Sequence, residues 1–268
     1  MRTIRFVALP TLAVLLTGAS LTALVPVARA SAAIGMQSSA GSNDAQIQAD
    51  LTKSLNKSKW KGVQVAVQNG VVDLTGSVNV YQDKEDADKK AHHTKNVTAV
   101  RNEIQVAGPE ISDQELQQKI VKGLEYDRVG YGTTAFNAIS VNVQNGVVTL
   151  GGHAYGPVDA ESAVGLVSNL AGVKDVVDEI QVDPVSPMDD RIRVTVARAV
   201  YGFPTLQKYA IDPGKPIRIS VQNGNVTLYG VVDNQADKDA AGIRANSVPG
   251  VFKVTNDLQV VNQPSEKK

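Results

Sequence analysis

Apolar and polar residues alternate on both sides of an Asn-Gly pair at three places in the chain. The shared tetrapeptide Val-Gln-Asn-Gly occupies residues 67–70, 143–146 and 221–224. Such alternation around Asn-Gly is the strongest local signal for a β-hairpin, because a type I′ turn needs positive φ at both central residues. The sequence therefore predicts three hairpins, each turning at its Asn-Gly pair.

The two-residue turn decides which side chains share a face of each hairpin. In the first copy it pairs Val67 with Val72 and Val65 with Leu74, all on one side. The twelve equivalent positions in the three copies are all aliphatic: Val65, Val67, Val72, Leu74, Val141, Val143, Val148, Leu150, Ile219, Val221, Val226 and Leu228. Small or polar residues occupy the other side, so one face of each hairpin is predicted to pack on a core.

A helical pattern precedes each hairpin, and a second one follows it. The first helices carry apolar residues at every fourth position: Ile47, Leu51 and Leu55; Leu116, Ile120 and Leu124; Ile192, Val196 and Val200. The second helices carry smaller ones: Ala87 and Ala91; Ala163, Val167 and Leu170; Ala241, Ala245 and Val248. Ser112 or Asp113, and Asp189, are suitable N-cap residues. A last strand ends each copy.

The element order α-β-β-α-β thus occurs three times, which predicts an α+β protein of three tandem small domains. Each is expected to form a three-stranded mixed sheet with two helices on one face. The predicted domains are domain 1 (43–108), domain 2 (109–184) and domain 3 (185–262). A flexible spacer (31–42) is expected before them and a short tail (263–268) after them.

Residues 1–30 have the features of a removable signal peptide. Two arginines precede an apolar run, and Ala-Arg-Ala at 28–30 is a small-x-small cleavage site. Cleavage is expected before Ser31 or, alternatively, after Ala32. No later segment is apolar for long enough to cross a bilayer, so an exported, soluble protein of the periplasm is predicted.

Composition and charge narrow the class of protein. The chain contains no cysteine, which excludes disulfides and thiolate metal sites and, beside an export signal, favours a bacterial envelope protein. The formal net charge is zero, so nucleic acid is not expected as a partner. Residues 109–183 carry four basic and eleven acidic residues, whereas residues 184–268 carry eleven and eight. Unlike charges would favour docking of these units, although ordinary surface variation explains the difference equally well.

The chain resembles a known family, the BON domain, named for bacterial osmotically inducible and nodulation proteins. The resemblance lies in the element order, the V-x-V-x-N-G-x-V-x-L-x-G hairpin, the Ala-rich second helix, the P-G-V turn at 249–251 and the closing V-x-N-x-L-x-V. It covers nearly all of residues 43–262, and the first copy departs from it at Lys95-Asn96. The resemblance implies a periplasmic or outer-membrane-associated binding module, in several members a phospholipid-binding one, without catalytic residues.

The residues themselves also indicate a protein without catalytic, cofactor or metal chemistry. His92 and His93 are adjacent, so on a helix they point about 100° apart and cannot chelate one metal as an i, i+4 pair would. His153 follows two glycines at a strand end, where a loop histidine is expected. Nucleophile elbows, phosphate-binding glycine loops and paired carboxylates are all missing from the sequence.

Lys57, Lys59, Trp60 and Lys61 form the first candidate lipid-binding cluster. Tryptophan prefers the headgroup region of a bilayer, and lysine is attracted to anionic lipid. The alternative is that Trp60 packs under the hairpin and the lysines form a solvated rim.

The second candidate cluster lies on the first helix of domain 3 and in the loop after it. It consists of Arg191, Arg193, Arg198, Tyr201 and Phe203. In the family that the chain resembles, lipid contact is associated with this helix and its adjoining loops. The alternative is that the aromatic residues cap the core while the arginines pair with acidic residues.

The leading expectation from the sequence is therefore an exported, non-enzymatic protein that binds anionic phospholipid peripherally and supports envelope integrity or osmotic and stress tolerance. The alternative is a periplasmic scaffold that binds envelope proteins and has no affinity for lipid. No cofactor, metal or nucleic acid partner is expected.

Overall fold

The structure is a computed structural model that describes residues 33–128, 132–184, 186–212, 214 and 216–261. The predicted signal peptide (1–30) lies outside the described residues. From residue 40 onward the described part of the chain forms one compact unit, and the three predicted domains lie in it.

The three domains share one order of helices and strands. Domain 1 contains α1 (Ala33–Ser54), β1 (Val63–Gln68), β2 (Val71–Val78), α2 (Tyr81–His92), β3 (Ala99–Asn102) and β4 (Gln105–Val106). Domain 2 contains α3 (Asp113–Tyr126), β5 (Ala138–Gln144), β6 (Val147–Ala154), α4 (Pro157–Ser168), β7 (Asp175–Asp178) and β8 (Gln181–Val182). Domain 3 contains α5 (Pro187–Tyr201), α6 (Lys208–Ile211), β9 (Arg218–Gln222), β10 (Asn225–Tyr229), β11 (Val231–Val232), α7 (Gln235–Asn246), β12 (Lys253–Asn256) and β13 (Gln259–Val260).

The sheets have the predicted mixed topology. In domain 1, β1 is antiparallel to β2, and β3 and β4 are both parallel to β2, so one interrupted strand forms the third position of the sheet. The interruption turns Ile104 into the core, where it is fully buried, and Leu258 takes the same place in domain 3. The α+β class and the three repeated domains are confirmed.

The hairpins turn at the predicted residues. Val67 pairs with Val72 and Val65 with Leu74, and the other two hairpins have the same register. Asn69 and Gly70 both have positive φ (53° and 76°), as a type I′ turn requires. The aliphatic residues predicted to face inward are buried or partly buried, and each domain has its own apolar core.

A carboxylate holds each Asn-Gly turn. Asp189 accepts hydrogen bonds from the amides of Asn223 (2.9 Å) and Gly224 (2.8 Å). Asp44 and Asp113 hold the turns of domains 1 and 2 in the same way, each with one oxygen per amide. The first helix of each domain is therefore joined to the hairpin tip by a charged, two-point contact, which is stronger than a pair of neutral hydrogen bonds.

Replacing Asp189 by asparagine is expected to lower the free energy of unfolding by about 1.5–3 kcal/mol, because both amides lose a charged acceptor in a buried position. Urea denaturation followed by circular dichroism measures the change. Asp239→Asn on the exposed side of α7 is the control and should change stability by less than about 0.5 kcal/mol. Equal effects of the two substitutions would contradict a special role for the turn contact.

Two local predictions are wrong. Residues 33–42, predicted as a flexible spacer, form the first part of α1, in keeping with the good helix formers Ala33, Met36 and Gln37. Asp189 is not the N-cap of α5. Ser186 is, since its hydroxyl accepts the hydrogen bond of the Asp189 amide, which leaves the Asp189 carboxylate for the turn. Ser112 caps α3 as predicted.

Domains 2 and 3 are docked against each other. Arg218 of β9 donates hydrogen bonds to the carbonyls of Thr134 (2.7 Å) and Asn137 (2.8 Å) in domain 2. Phe136 packs against the core of domain 3. Domains 1 and 2 also touch, since Tyr81 of α2 packs against the core of domain 2. Each of the three domains therefore packs against its neighbour along the chain.

Candidate functional site

Trp60 lies inside domain 1 and not at its surface. It ends a short 3-10 turn after α1, its side chain is only 3% exposed, and it belongs to the core cluster with Leu55 and Leu74. Its indole Nε1 donates a hydrogen bond to the carbonyl of Asp83 (2.8 Å). The prediction that Trp60 inserts into a headgroup layer is therefore corrected: a buried, hydrogen-bonded indole is a packing residue.

The lysines around Trp60 divide into paired and accessible ones. Lys59 Nζ lies 2.7 Å from Asp86 and 3.0 Å from Asp83, and 4.4 Å from the centre of the Trp60 ring. Burial opposes the charge, but the hydrogen bonds donated to the two carboxylates outweigh it and raise the pKa of Lys59. Lys57 and Lys61 are exposed. Of the first candidate cluster, only these two lysines remain available to a partner.

Arg193 is buried at the contact between domains 2 and 3. Its side chain is 1% exposed and forms ion pairs with Asp190 and with Asp183, the latter at 3.3 Å. It also donates to the carbonyl of Val221 (3.0 Å), and its guanidinium lies over the ring of Tyr155. Arg193 therefore cannot reach a lipid surface in this fold. For Arg193, the alternative interpretation from the sequence holds: this arginine pairs with acidic residues.

The other members of the second candidate cluster differ in solvent exposure. Arg191 and Arg198 are exposed on α5. Tyr201 is half-buried, and its hydroxyl donates to the carbonyl of Ile217; burial raises the pKa of this hydroxyl, with Arg218 acting in the opposite direction. Phe203 is half-buried against the core of domain 3, and the Arg244 guanidinium lies 4.2 Å from the centre of its ring.

Large exposed apolar side chains accompany the exposed arginines on the helices of domain 3. On α5, the exposed residues Met188, Arg191, Val194 and Arg198 follow one another at steps of three or four and so share one side of the helix. The neighbouring helix α7, which packs beside α5, exposes Ile243 and Arg244. Three of the apolar side chains are more than half exposed: Met188 (58%), Ile243 (69%) and Phe252 (75%).

Phe252 lies at the hairpin tip beside the start of α5. Its amide donates to the carbonyl of Gly224 (2.9 Å), and its ring is so close to Gly224 that a Cβ there would lie 2.4 Å from it. Asp189 binds the amide of the same glycine, which places Met188 at this end of domain 3 too. These residues define what we call the helical face of domain 3: Met188, Arg191, Val194, Arg198, Ile243, Arg244 and Phe252.

Sequence reasoning missed the apolar part of this face, although a signal for it exists in the repeats. Ile243 stands where domain 1 has Lys89 and domain 2 has Gly165. Phe252 likewise replaces Thr98 and Lys174 of the other two domains. Position-by-position comparison of the three copies therefore finds apolar side chains in domain 3 that its own core does not require.

His153 also lies elsewhere than predicted. It is partly buried at the contact between domains 2 and 3, with Nδ1 3.3 Å from Asp183 and 3.0 Å from Gln222 Nε2, and its ring stacks on Tyr229. His92 and His93 are exposed on and just after α2. Within the described ranges, no group of three or more His, Asp or Glu side chains is arranged to hold a metal ion.

None of the helices in the described part of the chain combines the length and the apolar character needed to span a bilayer.

Comparison with known families defines the class of this protein. The sequence model of the BON domain matches residues 43–108, 112–184 and 205–262, which together are more than half of the chain. The protein therefore belongs to the BON domain family and carries three copies of the domain. The BON domain family is a non-catalytic family.

Among characterised proteins, the chain is similar to osmotically-inducible protein Y of Escherichia coli strain K12. The two are 31% identical over 124 residues, which are 45% of this chain and 61% of the relative. The match thus spans less than two thirds of the relative's length.

Two solved structures show weaker likenesses. One is CdsD, a structural protein of the type III secretion system of Chlamydia trachomatis, with 16% identity, 82% of this chain and 94% of the other covered, and a TM-score of 0.24. The other is the periplasmic domain of the type III secretion inner membrane protein PrgH from S. typhimurium, with 14% identity, 78% and 98% covered, and a TM-score of 0.20. Both TM-scores lie below 0.5, so these likenesses do not bear on the function of this chain.

Proposed function

We propose that this protein is an exported, non-enzymatic component of the bacterial envelope that binds anionic phospholipid peripherally through the helical face of domain 3. The observation that carries the proposal is the combination of three exposed arginines with Met188, Ile243 and Phe252 on one surface. Apolar side chains that enter the headgroup region and cations that attract anionic lipid are the two components of interfacial binding.

The expected strength of binding follows from these residues. Each basic residue near an anionic surface contributes about 1 kcal/mol. One acidic residue, Asp239, is also exposed on α7 and reduces the net attraction. Exposed apolar side chains add roughly 25 cal/mol for each Å² that leaves water. The protein is therefore expected to bind reversibly and to be released by salt.

Export and physiological role rest on different observations. Residues 1–30 have the composition of a signal peptide, which supports a periplasmic location. The similarity to a protein named for osmotic induction supports a role in envelope integrity or in tolerance of osmotic stress. Protein–protein binding without lipid is the alternative function, and the lipid experiment separates the two.

Sedimentation with phospholipid vesicles tests the proposal. The purified protein is expected to bind phosphatidylglycerol vesicles, not phosphatidylcholine vesicles, and to dissociate as salt screens the charges. The double substitution Arg191→Glu and Arg198→Glu should weaken binding by roughly thirtyfold or more, since at least two contributions of about 1 kcal/mol are lost. Phe252→Ser should also weaken it.

Domain 2 supplies matched controls for these substitutions. Lys122 and Val121 are exposed on α3, so Lys122→Glu and Val121→Ser change charge and apolar surface away from the proposed site. Both variants are expected to bind like the unaltered protein. Equal binding to neutral and anionic vesicles, or binding to neither, would refute the proposal.

A further inference from the structure

An open groove lies between α1 and β1 in domain 1, away from the helical face of domain 3. Its volume is about 930 Å³, with Ala45 and Ala49 of α1 on one side, Val63 and Val65 of β1 on the other, and Trp60 at its base. The small alanine side chains leave the space between helix and strand unfilled. No acidic residue lines the groove, whereas Lys53, Lys57 and Lys61 do.

The strand that borders this groove has backbone groups available for pairing. Residues that flank a two-residue turn are hydrogen-bonded to each other, so along β1 the amides and carbonyls of Val63, Val65 and Val67 point away from β2. Gln48 donates to the carbonyl of Val65 (3.2 Å) from that side. Among the described residues, nothing else forms a hydrogen bond with these outward groups. Unpaired groups along an edge strand are a template for another strand.

The equivalent groove of domain 2 is smaller, because domain 3 forms one of its walls. It lies between α3 and β5, has a volume of about 360 Å³, and is walled by Pro216, Arg218 and Val231 of domain 3.

The corresponding strand edge of domain 3 is occupied by the chain that leaves domain 2. Asp183 accepts from the amide of Val221 (3.4 Å), and from the hydroxyl of Ser220 and the side chain of Gln222 (both 3.0 Å). Arg193, from the helix that borders this edge, pairs with Asp183 and covers the carbonyl of Val221. The same molecule therefore already contains an acidic side chain held on this edge by a cation from the first helix. Within the described residues, the groove of domain 1 is the one whose lining comes from a single domain, so no neighbouring domain covers it.

We propose that the groove of domain 1 binds an extended, acidic segment of another protein, which adds to β1 as an antiparallel or parallel strand. Its backbone pairs with the outward groups of Val63, Val65 and Val67, and its acidic side chains meet Lys53, Lys57 and Lys61. Backbone pairing supplies affinity in this mode, while the flanking charges select the partner. A second copy of the same domain is disfavoured because its own lysines would face these.

Tryptophan fluorescence tests the proposal directly, since Trp60 is the only tryptophan of the chain and lines the groove. The probe is a capped eight-residue peptide of alternating valine and glutamate, titrated into the purified protein. It is expected to shift the Trp60 emission in a saturable way that weakens with salt. A peptide with lysine in place of glutamate should bind at least about tenfold more weakly, because its charges repel the three lysines.

Val65→Pro removes the central outward amide of β1 without removing a bond to β2, as proline is tolerated at such an edge position. Val65→Ala keeps the amide but loses the same side-chain packing, and is the matched control. The proline variant should bind the acidic peptide about tenfold more weakly than the alanine variant. Circular dichroism and thermal denaturation establish that both variants are folded.

Three results would overturn the proposal: equal affinity of the two variants, equal affinity for the acidic and basic peptides, or a Trp60 shift produced by anionic vesicles and not by the acidic peptide. The last result assigns the groove to lipid. Because the vesicle experiment above uses substitutions in domain 3, failure of either proposal leaves the other testable by its own readout.

Discussion

Replacing Arg193 by methionine is expected to lower the free energy of unfolding by about 3–5 kcal/mol and to loosen the contact between domains 2 and 3. The reason is that Asp183, whose side chain is fully buried, loses the guanidinium that compensates its charge. Removing one member of a buried ion pair leaves the other charge uncompensated, and this costs more free energy than the intact pair contributes. The stacking of Arg193 on Tyr155 is lost as well.

Scanning calorimetry measures this effect, because domain 3 should melt earlier or separately from domain 2. The double variant Arg193→Met with Asp183→Asn is the informative control, since it removes both charges. It should recover part of the stability lost in Arg193→Met, so that the double variant loses less stability than the two single variants added together. If the two substitutions add without coupling, Arg193 stabilises the domain contact by packing alone.

Replacing Gly152 by alanine is expected to lower the free energy of unfolding of domain 2 by about 2–5 kcal/mol. Gly152 has a φ of +82°, and a Cβ there would lie 2.1 Å from the carbonyl oxygen of Ala138. Left-handed backbone costs an ordinary residue about 1–2 kcal/mol, and overpacking typically adds about 1–3 kcal/mol. That oxygen belongs to β5, so relief requires the pairing of β5 with β6 to loosen.

Gly165→Ala in α4 is the matched control within the same domain. Its Cβ would meet nothing within 4 Å, so alanine only improves helix propensity and should stabilise domain 2 by about 0.5–1 kcal/mol. Calorimetry of the two variants should therefore show shifts of opposite sign. Destabilisation of similar size at both positions would mean that loss of glycine, not strain at Gly152, is responsible.

The fold of each domain could be predicted from the sequence because the signals are local and occur three times. The turn at Asn69 and Gly70 needs only its own two residues, and the pairing of Val67 with Val72 follows from it. The apolar residues that recur at every fourth position before the first hairpin, Ile47, Leu51 and Leu55, identify the buried side of α1.

The role of Asp44, Asp113 and Asp189 was not predictable in the same way. Each looks like a helix-capping residue in sequence, where an acidic side chain before an apolar repeat is a normal N-terminal signal. Its carboxylate instead reaches an amide 25 or more residues further along the chain. All three stand three positions before the first residue of the period-four apolar series, at Ile47, Leu116 and Ile192, and this spacing is the pattern that connects them.

The sequence by itself determined the triplication, the hairpin register, the aliphatic faces and the family of this protein, since all of these depend on residues close together along the chain. Only the tertiary structure decided which polar and aromatic residues remain available to a partner. Trp60 is buried because Asp83 and α2 fold over it, and Arg193 because a neighbouring domain supplies Asp183 and Tyr155. Burial is a property of contacts between distant segments, and local patterns do not contain it.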